Sequence, residues 1–253
     1  MKMTKLAAVA LVTGAGFTLL APLACADEAG QASKVTSSGV VTFESTPTDP
    51  NGNTGPLRIQ SVSSIDFGSV GIKGDTMTYP ARYSATEKED HLGSDGAVIS
   101  TDYLPLNITT VDDRGSNAGW QLQVTQSRQF TELDASGALK PGGLELNGAS
   151  IKLSADNAVR PEDKKTEPAV TVPTSFSTNV VVNNKMQPLV KANVGEGMGT
   201  WNSRMGSVVA DATDAKNPNV ELTIPGGIQI VEASYQAELT WLLIDSPDLT
   251  PAS

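Results

Sequence analysis

The feature that most constrains this chain is a two-residue alternation of apolar and polar side chains, repeated in many short runs. The runs "LRIQSVS", "IDFGSVGI", "AVIS", "LPLNITTV", "WQLQVTQ", "SIKLS", "AVTVP", "NVVVN", "NVELTIP" and "SYQAELTWLLI" are bounded by Gly, Pro, Asn or Asp. A period of two puts neighbouring side chains on opposite faces of a strand. No segment sustains the i, i+3, i+4 apolar spacing of a helix over ten residues. The pattern predicts an all-β fold, an antiparallel β-sandwich with little helix. A short helix fits best at "EGMGTWNSRMG", residues 196–206, and glycines interrupt even that stretch.

The first 26 residues read as a secretory signal peptide. Lys2 and Lys5 precede an apolar run from Leu6 to Leu20, and Ala24 and Ala26 offer an A-x-A cleavage site. Cleavage there removes Cys25, the only cysteine, so the mature chain carries no thiol or disulfide. A second reading makes Cys25 a lipid-modified first residue, with Pro22 where such signals carry Leu. Residues 27–56 read as an N-terminal strand, "GVVTF" at 39–43, followed by a linker. Residues 57–253 then form one domain. In "DPNGN", Asp49, Asn51 and Asn53 have the spacing of a calcium loop, but its glycine and distal glutamate are missing, which favours a turn. No later run approaches the roughly 18 apolar residues of a membrane-spanning helix.

Removing Lys2 and Lys5 moves the formal charge from −10 to −12. With no basic cluster to offset it, this charge excludes nucleic acid as a partner. Catalysis finds little material. The only histidine, His91, lies in the charged run "TEKEDHLGSDG" and reads as a solvated loop residue. One histidine and no mature cysteine leave no ordinary zinc site, and no nucleotide-binding fingerprint is present, so neither a metal nor a cofactor is expected. The carboxylate pairs Asp112 with Asp113 and Glu87 with Glu89 are read as solvated turn residues rather than glycosidase acids. The chain is therefore read as a non-enzyme.

Two of the three tryptophans stand in the same W-x-L frame, in "NAGWQLQV" and "ELTWLLID". Trp120, Leu122 and Val124 share one strand face, as do Tyr235, Ala237, Leu239, Trp241 and Leu243. The two segments can lie side by side in one sheet or across a sandwich, with their rings either in the core or outward as a stacking surface. Leu242 and Ile244 add apolar groups to the face where Gln236, Glu238 and Thr240 predict solvent, which implies cover on both sides, by another part of this chain or by a partner protein. Whether Trp201, in "GMGTW", joins the other two is open.

The sequence resembles the WxL-domain surface proteins of low-GC Gram-positive bacteria. The resemblance runs from "GNTGPL" through "DFGS", "DDRGSNAGWQL" and "GMGTW" to "YQAELTWLLIDSP". It implies a secreted protein held non-covalently at the cell wall by recognition of peptidoglycan, with companion surface proteins assisting. By that resemblance Trp120, Leu122, Trp241 and Leu243 carry the motif function, with Asn117, Gly119, Trp201, Leu242 and Ile244 as accessory positions. The chain departs from the family in a short spacer before "GNTGPL" and in the apolar Leu242 and Ile244. The other reading is a structural or adhesive subunit whose W-x-L clusters pack protein on protein. The C-terminal "LLIDSPDLTPAS" has no LPxTG sorting signal, so a covalent anchor is not expected.

Overall fold

A computed structural model describes residues 33–41 (backbone only), 56–83, 88–161, 172–210 and 215–245. The leader read at 1–26, the turn "DPNGN" and the start of the run "AVTVP" lie outside these residues. The strands are β1 (Ser33–Val41), β2 (Leu57–Val62), β3 (Ile65–Asp66), β4 (Met77–Arg82), β5 (Lys88–Leu92), β6 (Val98–Tyr103), β7 (Leu106–Asp112), β8 (Trp120–Glu132) and β9 (Ser150–Leu153). They continue with β10 (Asn157–Val159), β11 (Ser175–Phe176), β12 (Val180–Val181), β13 (Gln187–Ala192), β14 (Gly199–Met205), β15 (Val209–Ala210), β16 (Lys216–Ile224) and β17 (Tyr235–Ile244). No helix occurs among the described residues.

The strands form three sheets. The largest has ten strands in the order β11-β13-β8-β17-β1-β3-β4-β16-β9-β12, a second runs β10-β14-β7-β2, and a third runs β15-β6-β5. Pairing is antiparallel except between β1 and β3. The all-β expectation holds, but a single sandwich is too simple a description. The ten- and four-stranded sheets feed one hydrophobic cluster, to which Ile59, Ile108 and Trp201 contribute from the smaller sheet and Leu122, Leu239 and Trp241 from the larger. The three-stranded sheet contributes nothing to that cluster and instead exposes Leu92, Val98 and Ile99.

Local chemistry explains where the alternation misled. Residues 199–205, where a short helix fitted best, form β14, because Gly195, Gly197 and Gly199 all adopt left-handed φ angles that stop a helix from starting. Their burial then alternates, with Trp201, Ser203 and Met205 inward. Strands β4 and β13 contain Pro80 and Pro188, and each pairing slips in register close to its proline, which hides the strand signal. His91 is not in a loop. It lies on β5, half exposed, with Nε2 3.0 Å from Asp102 Oδ2 on the paired strand β6.

Strand β7 is buried along its whole length between β14 and β2, so its polar groups need partners. The Thr109 hydroxyl donates to Asn202 Oδ1 at 2.8 Å, and the Asn107 N–H donates to Ser63 Oγ at 3.1 Å. These bonds tie each edge of the strand to a neighbouring segment. Leu239 on β17 has no solvent exposure, and Leu239→Ala would leave a cavity that the flanking strands cannot close. The expected loss of stability is about 2–5 kcal/mol, read by urea unfolding with an unchanged dependence on denaturant.

Candidate functional site

The two W-x-L segments lie side by side. In the β8–β17 ladder Leu243 faces Leu122, Trp241 faces Val124 and Ile244 faces Gln121. Directly opposed residues point to the same face, so the two motifs build one apolar stripe across adjacent strands. Trp120 sits at the start of β8, where its cross-strand neighbour is Ala192 of β13. Trp120, Leu122, Trp241 and Leu243 are each 0% exposed. None of the four reaches the surface. Trp201 belongs to the same hydrophobic cluster from the opposite sheet, so all three tryptophans line one core.

The reverse face of the motif strands is also covered. Ile244, Gln121 and Gln123 are buried, and Leu242 is half-buried. Gln123 Nε2 donates to Gln121 Oε1 at 2.5 Å, so these amides partly satisfy each other on that face of β8. The double cover that Leu242 and Ile244 imply is therefore present.

The polar lead-in before Trp120 is a built structure. Asp112, at the end of β7, is 1% exposed and receives three bonds from Arg114: the main-chain N–H to Oδ1 at 3.2 Å, Nε to Oδ1 at 2.9 Å and an Nη to Oδ2 at 2.8 Å. The same guanidinium donates to the Gly119 carbonyl at 2.6 Å, which closes the loop over residues 112–119. The Asp112 hydrogen bond holds the Arg114 guanidinium above its ordinary pKa, against the opposing effect of burial, and the charge of Asp245 adds to it. The ladder pairing of Ile244 with Gln121 is what sets the exit of the second motif beside the start of the first.

Two glycines make the fit possible. Gly119 has φ +79°, and a Cβ there would lie 2.7 Å from the Asn193 carbonyl oxygen and closer still to that of Ala192. Gly197 has φ +80°, and a Cβ there would lie 2.6 Å from Ala192 Cβ and run into the Trp120 indole. The close approach lets Trp120 Nε1 donate to the Gly197 carbonyl at 3.0 Å. Asn117, also at positive φ, accepts the Gly195 N–H at 2.8 Å. Glu196 fixes this loop by accepting the Asn193 and Thr174 N–H groups at 3.0 and 3.1 Å and the Thr174 hydroxyl at 2.8 Å. Burial raises the Glu196 pKa, but these bonds outweigh it and the net shift is downward. Trp201 is held similarly, with Nε1 donating to Met198 O at 3.0 Å and Arg160 4.4 Å above its ring.

Of the accessory positions, Asn117 and Gly119 thus build the loop before the first motif, and Trp201 shares the hydrophobic cluster from the opposite sheet. Sequence reasoning passed over Asp112 as a turn residue and did not single out Arg114, Glu196 or Gly197. The available signal was a lone Arg within an acidic loop and the alternating glycines of "GEGMG". Among the described residues no group of three or more His, Cys, Asp or Glu side chains is placed to hold a metal ion. Nor is any helix long and apolar enough to cross a membrane.

These paired, sealed W-x-L strands agree with the comparison at family level. The profile of the WxL domain, described as surface cell wall-binding, matches residues 30–247. The chain belongs to the WxL-domain family, and that membership supports association with the cell surface through the wall. No curated protein and no solved structure matches it.

Two substitutions test the geometry. Gly119→Ala is expected to prevent folding at ordinary temperature, since the side chain meets main-chain carbonyls that cannot move away, and loss of the near-UV signal of the buried tryptophans would report it. Arg114→Met leaves the Asp112 carboxylate buried without its cation. It should cost about 3 kcal/mol in thermal or urea unfolding, and adding Asp112→Asn should recover part of that loss.

Proposed function

We propose that this protein is a secreted, non-enzymatic module that attaches to the Gram-positive cell wall by recognising peptidoglycan, directly or through a companion surface protein. The observation that carries the reading is the family match over residues 30–247. In this reading residues 1–26 are the export signal and 57–253 hold the binding module, with β1 added to its sheet from the N-terminal segment. The motif side chains Trp120, Leu122, Trp241 and Leu243 act from within. They fix two strands and the two loops at residues 112–119 and 193–199, and the outer surfaces of those loops make the contact.

With a formal charge of −12 after loss of the leader lysines, bulk attraction to an anionic wall polymer is unfavourable, so retention rests on local contacts. The alternative, a structural or adhesive subunit, is favoured by the exposed aliphatic tip of the β5–β6 hairpin, which suits protein–protein contact.

The decisive experiment is sedimentation of residues 27–253 with protein-free sacculi. Retention that resists about 0.5 M salt is expected, because screening at that strength removes surface electrostatics. Trp241→Phe, which keeps an aromatic core residue, should be retained like the wild type. Failure of the wild type to sediment would overturn direct recognition and leave attachment to a companion protein.

A further inference from the structure

A cavity of about 460 Å³ opens between the irregular segments 67–76 and 225–234, at the Tyr235 end of β17 and away from its Ile244 end. The base is apolar, formed by Met77, Leu146, Ile224 and Tyr235. Ile72, 56% exposed, and Val231 stand at the mouth. The segments are pinned to one another: the Gly227 N–H donates to Gly74 O at 3.1 Å, and the Gly226 N–H donates to Thr76 Oγ1 at 3.0 Å. The Tyr235 hydroxyl accepts the Val231 N–H and donates to the Val231 carbonyl, each at 3.1 Å. The cavity is thus preformed, and its volume is that of a small-ligand site.

Two further observations define what would fill it. None of the N–H groups of residues 69–73, which line the cavity, donates a hydrogen bond within the described residues, so this wall carries main-chain donors able to pair with another backbone. Three charges line the rim, Lys73, Asp75 and Glu232, and none of them forms an ion pair among the described residues. Two carboxylates and one ammonium around an aliphatic hollow disfavour an anionic lipid. A sugar would find few neutral side-chain donors there. An aliphatic body with backbone amides, one ammonium and one carboxylate meets every group present.

We propose that this cavity binds a short aliphatic peptide, with the peptide's free ammonium facing Asp75 and Glu232 and its carboxylate facing Lys73. The site is separate from the motif loops, and the inference does not depend on attachment to the wall.

Calorimetric titration of residues 27–253 with the tripeptide Ala-Leu-Ala, its N-acetylated form and its C-amidated form tests it. Saturable binding of the free tripeptide is expected, weakened about fivefold by either cap, as for loss of one exposed ion pair. Gly71→Trp, at a lining position where an added Cβ meets no atom within 4 Å, should abolish binding by occupying the hollow. The near-isosteric pair Asp75→Asn with Glu232→Gln should remove the preference for the free amine while leaving the melting temperature unchanged, which keeps the test sound if Gly71→Trp misfolds. Absence of saturable binding, equal binding of the N-acetylated peptide, or binding indifferent to both variants would overturn the proposal.

Discussion

The ladder between β8 and β17 is the contact on which the rest of the architecture depends. Its register sets Leu243 against Leu122 and Trp241 against Val124, so two sequence-distant motifs become one continuous apolar face. A slip of one residue would turn every one of these side chains to the opposite face. The register is therefore held strongly. Strands β13 and β1 flank this pair, and the four-stranded sheet adds Trp201 to the same core. The W-x-L frame is the trace in sequence of a strand pair that must match in size and face.

Around that pair the protein uses polar groups where close packing alone would not fix a loop. A buried carboxylate is costly unless it is paired and hydrogen-bonded, and the Arg114 guanidinium answers Asp112 with two bonds and closes the loop with a third to Gly119. Glu196 does the same for the neighbouring loop with bonds to Asn193 and Thr174. The two loops then meet through the indole N–H of Trp120. An aromatic residue with a polar edge is what this position requires. Phenylalanine would fill the same space and leave the Gly197 carbonyl without that donor.

Much of this was legible from the residues. Period-two alternation located β2, β7, β8, β9, β16 and β17, and the shared W-x-L frame correctly suggested strands lying together. Burial of the rings was not legible, because Trp and Leu on one strand face have the same pattern whether they meet a core or a ligand. The alternation failed where proline breaks the ladder, in β4 and β13, and where charge fills an edge strand, in β5. It failed at Asp112 for a different reason. Nothing local distinguishes an acidic turn residue from a buried one until the partner, Arg114, is placed in space.

The order in which the large sheet can be assembled follows from the position of β17. It is the last strand in the described chain, yet it lies between β8 and β1. Without residues 235–244, the other nine strands of this sheet fall into two separate ribbons, β11-β13-β8 and β1-β3-β4-β16-β9-β12, each with an unpaired edge and an uncovered apolar face. Insertion of one segment joins them and buries Trp241 in the same event. The large sheet therefore closes through its most non-local contact, and its two ribbons share no ladder except through that one segment.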